Sequence, residues 1–360
     1  DDKVMDLSVA EQQMVEIAKA LSTKAKILIM DEPTAALTER EIDKLFGVIE
    51  DLKSKGVGII YISHRMEELK IIADRVTIMR DGKYIKTLNY KETTHDELIK
   101  LMVGRSMDEQ YPPRISEIGE VLLEVKNLSY KKILKDISFN VKSGEILGVA
   151  GLMGAGRTEM AKTIFGVYQH DKGEIRLNNK KMEIKNPRDA INNGIAYLTE
   201  DRKKDGLLLN LSVEDNIVIS NLNCVSEYLV INSKKSTALS ERYIDKIKIK
   251  TPSKNQEVRN LSGGNQQKVI LARWLCQDKK VLMFDEPTRG IDVGAKREVY
   301  NLMNELAESG AAIIMISSEL PEILGMSDRV MVMNEGKVAG ILDIENATQE
   351  KIIHYATGGE

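Results

Sequence analysis

Two stretches of this chain hold residues whose types and spacing suit phosphate chemistry. The first reads Gly151-Leu152-Met153-Gly154-Ala155-Gly156-Arg157-Thr158. Its glycines leave backbone N–H groups open to an anion at the mouth of a helix expected over 158–165, and the Thr158 hydroxyl is of the kind that ligates Mg2+. The pattern is G-x-x-x-x-G-K-[ST] with Arg157 where lysine is usual. The positive charge survives, but a planar fork replaces a point charge. Glu159 follows and is counted with the phosphate-facing set.

The second stretch begins Leu261-Ser262-Gly263-Gly264, continues in a helix-like run over 266–276 that opens on Gln266, and reaches an apolar strand over 281–284. That strand ends on Asp285-Glu286, with Pro287-Thr288 and Asp292 beyond. Adjacent glycines admit a ligand close to the backbone, and a helix N-terminus favours an anion. A carboxylate at the end of a core strand is placed to hold Mg2+ or one of its waters, and the neighbouring Glu286 to orient or activate an attacking water. A lone Ser-Gly-Gly is ordinarily a capping turn and a lone Asp-Glu a solvated strand end. Their conjunction at this spacing favours chemistry.

The pieces recur at one offset of 254 residues: Leu7-Ser8 with Leu261-Ser262, Asp31-Glu32-Pro33-Thr34 with Asp285-Glu286-Pro287-Thr288, Asp74-Arg75 with Asp328-Arg329, Asp81-Gly82 with Glu335-Gly336, and Gly104 with Gly358. A gapless register of this length implies two homologous domains. The expected division is 1–107 for the back part of a first domain, 108–119 for a linker holding Pro112-Pro113, and 120–360 for a second domain. Residues 119–260 precede the second Leu-Ser pair, and almost nothing precedes the first, so the first copy is expected to be incomplete at its front. The copies also differ in chemistry: Val9-Ala10 stand against Gly263-Gly264, and Ser318 stands against His64.

Positioning these groups calls for a helix over 12–21, a strand over 27–30 ending at Asp31, an amphipathic helix over 41–53, and a strand over 57–62 delivering Ser63-His64. In the second copy it calls for strands over 121–130 and 137–141, a buried strand over 145–150 feeding Gly151, and a strand over 195–199 ending at Glu200-Asp201-Arg202. Helices then run to about residue 249, with a further helix over 295–306 and a strand over 312–316. The strands over 27–30 and 57–62 are expected without flanking partners, leaving exposed apolar edges. The basic run Arg202-Lys203-Lys204 reads as a solvated loop.

The 360 residues are 42% hydrophobic and 30% charged, with a formal net charge of −3. That is a globular balance without the basic field of a nucleic-acid binder. Apolar runs such as 311–316 fall short of the roughly 18 residues that span a bilayer, so a membrane role would come through a partner. Cys224 and Cys276 have neither metal-site nor disulfide-framework spacing.

The glycine loop, the Ser-Gly-Gly turn, the Asp-Glu strand end and Asp292 together resemble ABC-type ATPases. The tandem layout, the EDRKKDGL insert at 200–207, the DEPTRGIDVGAK run and SSELPE at 317–322 resemble the ATPase subunits of bacterial monosaccharide importers, of the ribose and galactose/methyl-galactoside type. The resemblance implies an α/β P-loop NTPase fold with an antiparallel β subdomain and a helical subdomain, in tandem. It implies ATP and Mg2+ as cofactors, with Asp31, Asp285 and Thr158 as metal ligands and Glu32, His64 and Glu286 as catalytic groups. Tyr130 would stack on adenine, and Glu200, where glutamine is usual, would sense nucleotide. Leu261, Ser262, Gly263, Gly264 and Gln266 would reach the nucleotide of the other domain, the two domains pairing head to tail.

Implied partners are transmembrane permease subunits and a periplasmic or lipid-anchored sugar-binding protein, with no nucleic acid. The implied location is peripheral, on the cytoplasmic side of the inner membrane. By position, the site of Asp31, Glu32 and His64 would be competent and that of 151–158 degenerate. Two other classes fit less well. A soluble tandem ABC protein acting in translation would carry a long charged helical linker, whereas 105–119 is short and broken by proline. A nucleotide-sensing regulator would be expected to lose Glu32 and His64, and both are present.

Overall fold

The computed structural model describes every residue except 1, 2, 5, 6, 8, 23, 24, 35, 36, 38, 64, 65, 81, 82, 95, 96, 99, 100, 102–110, 115, 116, 228, 229, 277, 278, 292 and 360. The chain divides into two units, Asp1–Glu109 and Gln110–Glu360.

In the first unit the order is α1 (Val9–Ser22), β1 (Ile27–Asp31), α2 (Glu39–Ser54), β2 (Gly58–Ile62), α3 (Met66–Ile72), β3 (Arg75–Arg80) and β4 (Lys83–Asn89). Strands β1 and β2 pair in parallel, Asp31 opposite Ile62. Parallel neighbours need a crossover, and α2 supplies it. Its Ile42, Leu45, Phe46 and Ile49 fall at helical spacing and bury against Met30 and Ile72. The other face of the pair stays open: Ile27, Ile29, Ile60 and Ile62 are 65%, 64%, 52% and 46% exposed. This is the apolar exposure expected for these strands. Strands β3 and β4 form an antiparallel hairpin, and Leu69, Ile78 and Leu98 make a smaller cluster beside it.

The second unit opens with β5 (Val121–Tyr130), β6 (Leu134–Lys142), β7 (Ile146–Gly151), α4 (Arg157–Ile164), β8 (Lys172–Leu177), β9 (Lys180–Met182), α5 (Pro187–Asn192) and β10 (Ile195–Leu198). It continues with α6 (Val213–Val218), α7 (Leu222–Val225), β11 (Ser226–Glu227), β12 (Val230–Ile231), α8 (Ser233–Ile247) and α9 (Gly263–Leu275). It closes with β13 (Val281–Asp285), α10 (Val293–Glu308), β14 (Ala312–Ile316), α11 (Leu320–Met326), β15 (Arg329–Asn334), β16 (Lys337–Asp343) and α12 (Gln349–Ala356).

A six-stranded sheet, ordered β10-β13-β14-β7-β15-β16, is parallel except at its β15–β16 edge. A four-stranded antiparallel sheet runs β6-β5-β8-β9. Core strands of a parallel sheet are covered on both faces and read as unbroken apolar runs, and every residue of β13 and β14 is buried. Helix α4 packs on β7 and β13, bringing the glycine loop over the strand ends.

The helical part between β10 and β13 is pinned by Arg273 of α9. Its buried guanidinium donates to the carbonyls of Asn216 (2.7 Å) and Gly206 (2.6 Å) and to Asn216 Oδ1 (2.9 Å). Burial pulls its pKa down to about 10. Helix α9 begins at Gly263 rather than at Gln266, so the paired glycines form its first turn and Ser262 its N-cap.

Candidate functional site

Strand β7 delivers Gly151 to the start of the loop. A Cβ there would lie 2.5 Å from the Met333 carbonyl oxygen on β15, so only glycine fits. Gly156 caps α4 at a left-handed φ of 96°, a conformation glycine adopts without cost. Between them Leu152 accepts from the Ala155 N–H at 3.0 Å, turning the loop so that Met153, 99% exposed, stands at its tip. Glu159 lies in the first turn of α4.

Thr158 and Asp285 come together beneath this loop. The buried Asp285 carboxylate accepts from the Tyr197 hydroxyl at 2.7 Å, with the Thr158 hydroxyl nearby, while its Oδ1 has no partner. Burial pushes its pKa up to about 6, opposed by the Tyr197 and Thr158 hydroxyls. A buried, unsatisfied carboxylate oxygen beside a hydroxyl suits a hard cation such as Mg2+. No group of three or more His, Cys, Asp or Glu gathers among the described residues. Asp285 and Thr158 would therefore share the ion with phosphate and water oxygens.

Glu286 sits at a left-handed φ of 49°, and its N–H donates to the Ile316 carbonyl at 2.9 Å. Its Oε2 accepts from Ser318 Oγ at 3.0 Å, and its Oε1 lies 4.0 Å from the Arg157 guanidinium. Burial raises the Glu286 pKa, opposed by Ser318 and Arg157. Arg157 also donates to the Ser317 carbonyl at 2.7 Å. The arginine fork thus reaches across the loop to the strand end, where a lysine has a single ammonium to place.

The Ser262 hydroxyl accepts from Asn265 Nδ2 at 2.9 Å. A Cβ on Gly263 would lie 2.7 Å from the Arg202 guanidinium and 2.9 Å from the Gly290 carbonyl oxygen, and one on Gly264 would lie 2.8 Å from the Ala295 Cβ. Arg202 donates to the carbonyls of Arg289 (2.6 Å) and Gly290 (2.9 Å). It belongs to a single π-helical turn, Arg202–Gly206, which corrects the expected solvated loop for that residue. Glu200 pairs with the Arg289 guanidinium and faces a polar cavity of about 500 Å³, lined also by Lys162 and Lys203.

Two expected ligand-facing side chains are engaged within the fold. Tyr130 is 8% exposed, stacked on Tyr168 at 4.9 Å with the Lys131 ammonium 5.1 Å over its ring. Gln266 turns inward: it is buried and donates to the Val258 carbonyl at 3.1 Å. Leu261 packs against the core. Asp292, His64 and Ser8 lie outside the described residues.

The first unit repeats the acid's local geometry. Glu32 has φ 46°, and its N–H donates to the Ile62 carbonyl at 2.9 Å. Asp31 is exposed at the end of β1. Both units share a feature that sequence reasoning missed. The buried Glu68 accepts from Thr34 (2.6 Å), Ser63 (2.9 Å) and Tyr61 (2.8 Å). The buried Glu322 accepts from Thr288 (2.9 Å) and from Ser317. The signal available was the spacing, since Glu68 and Glu322 stand 254 residues apart.

The sequence profile of the ABC transporter family matches residues 1–35 and 134–289. A ribose import ATP-binding protein of Oceanobacillus iheyensis is 56% identical over 359 residues, covering 100% of this chain and 72% of that protein. A xylose import ATP-binding protein of Thermoanaerobacter pseudethanolicus is 55% identical over 366 residues, covering 99% and 72%. Among solved structures, a nucleotide-free ATP-binding cassette from an ABC transporter superposes with a TM-score of 0.55 at 22% identity, covering 66% of this chain and 95% of that one. At that identity the likeness speaks for the fold.

Proposed function

The chain belongs to the ABC transporter family of ATP-binding proteins, and from that premise we propose that it is an ATPase subunit powering import of a monosaccharide through a membrane permease. The observation that carries this is the buried, unpartnered oxygen of Asp285 at the end of β13, in a unit whose glycine loop opens the helix that carries Thr158. The names of relatives at 55–56% identity supply the sugar.

In this reading the N–H groups of 151–158 and the Arg157 charge hold the phosphates. Thr158 and Asp285 hold Mg2+, which when bound neutralises charge between them. Glu286 is the counterpart of a water-orienting acid. The turn Ser262-Gly263-Gly264 serves the phosphate of a nucleotide held by a second cassette. The chain docks on its permease from the cytoplasmic side; among the described residues no helix is long and apolar enough to cross a membrane.

The two sites are unequal. Turnover belongs to Asp31, Glu32 and His64. The Gly151–Thr158 site retains nucleotide and turns over slowly, because Arg157 and Ser318 both engage the Glu286 carboxylate and Ser318 stands where the first copy has His64. Each positioned electrostatic group lost typically costs a factor of about 10²–10³.

Co-expression with the permease tests the whole. Sugar-stimulated hydrolysis is expected in proteoliposomes, with ribose and xylose compared directly, and failure to co-purify with any permease overturns the proposal. In the same complex, assembled with the full-length protein that carries the front of the first domain, His64→Ala is expected to abolish single-turnover hydrolysis. Substantial residual hydrolysis would sink the division of labour.

A further inference from the structure

We propose that the buried carboxylate present in both units, Glu68 in the first and Glu322 in the second, is a positioning residue that fastens the segment after the catalytic acid to the segment that leaves the next strand, at Ser63 and Ser317 respectively. The proposal rests on the site assignment above.

In the second unit Glu322 lies on α11, and each of its oxygens accepts from a hydroxyl on a different loop. Thr288 is two residues beyond Glu286. Ser317 precedes Ser318, which donates to Glu286, and its carbonyl accepts from Arg157 of the glycine loop. One carboxylate therefore ties together two of the segments that would surround a γ-phosphate, and Arg157 joins the third to them through the Ser317 carbonyl. In the first unit Glu68 on α3 makes the equivalent bonds to Thr34 and Ser63, with Tyr61 adding a third hydroxyl.

Burying an acid is costly unless its oxygens are satisfied, and an apolar side chain would fill the same space without that cost. The arrangement is therefore better explained by what the carboxylate holds than by packing. The copies support this by their difference. The second keeps the acid and both hydroxyls although serine replaces the histidine. Holding the segment in place is thus separable from the group the segment presents.

The test uses the full-length protein, with the front of its first domain present, bound to its permease. Glu68→Gln keeps size and shape but can no longer accept at both ends. It is expected to lower kcat about tenfold with KM for ATP within about twofold, at unchanged melting temperature. Thr34→Val removes one donor and is expected to lower kcat about threefold. The double variant should be no slower than Glu68→Gln alone, because the two share one interaction. A kcat within twofold of wild type for Glu68→Gln and Glu322→Gln alike overturns the proposal. So does a loss matched entirely by a smaller folded fraction, or additive single effects at constant stability. If Glu322→Gln slows turnover and Glu68→Gln does not, the fastening role stands and the assignment of turnover to the first unit falls.

Discussion

Strands β1 and β13 occupy equivalent places in the two copies and end on the same Asp-Glu pair, yet they live in different surroundings. At the acid the two units agree closely. Glu32 and Glu286 have φ of 46° and 49°, each donates its N–H at 2.9 Å to the last residue of the next strand, and each is followed by a threonine bonded to a buried glutamate. Along the strands they diverge: β13 and β14 are buried throughout, whereas β1 and β2 expose isoleucines from end to end. The geometry of the acid is therefore local, fixed by partners within about one crossover and its following helix. Burial of the strand is not local. In the second unit it comes from β7, β10 and α4, which precede β13 by many residues.

The sharpest way to break this comparison is at the acids themselves. Glu32→Gln is expected to cut steady-state hydrolysis by about 10²–10³, and Glu286→Gln by less than about threefold. Equal losses, measured by phosphate release in the permease complex, would show that matched local geometry means matched activity.

Next in size is a pair of core substitutions. Ile314→Thr in the buried β14 should cost about 2–4 kcal/mol through lost packing and a stranded hydroxyl. The equivalent Ile60→Thr in β2 should change stability by no more than about 0.5 kcal/mol. Denaturant unfolding followed separately for each unit checks both, and a large cost for Ile60→Thr would mean that its face is covered in solution.

The smallest effect concerns pH. Burial lifts the Asp285 carboxyl to about 6, above its ordinary value. Folding thus favours its protonated form, and the associated stability is present below the ordinary carboxyl range and lost as pH rises through about 6. Mg2+ requires the ionised form, so Mg2+-dependent nucleotide retention by the second unit should weaken as pH falls below about 6, approaching tenfold per unit. Titration with a fluorescent nucleotide, with and without Mg2+, reads this. Asp285→Asn should remove both the Mg2+ requirement and the pH slope, and persistence of the slope in that variant would assign the proton elsewhere.

Much of this was legible in the sequence. The offset of 254 aligns strand ends, and the glycine loop, the Asp-Glu pair and the strand runs fell where apolar periodicity placed them. What was hidden depends on side chains that meet across distance. That Tyr168 would cover Tyr130 cannot be read from spacing, because stacking is settled by how the segment after α4 returns to the end of β5. The resemblance implies a ligand-facing Gln266; with α9 beginning at Gly263, that residue falls on the helix's buried side. Arg157 reaching the Ser317 carbonyl is a choice of rotamer. Glu68 and Glu322 were visible as a repeated acid, but an acid on a short helix is ordinarily solvated, and only burial reveals its role.

The left-handed backbone at Glu32 and Glu286 has an evolutionary side. Such a conformation costs a non-glycine residue on the order of 1–3 kcal/mol unless its surroundings enforce it. Glycine or asparagine would relax that position at once. A laboratory lineage selected for heat tolerance alone should accordingly shed these acids early, whereas one required to feed its host on a scarce sugar should keep Glu32 and let Glu286 drift.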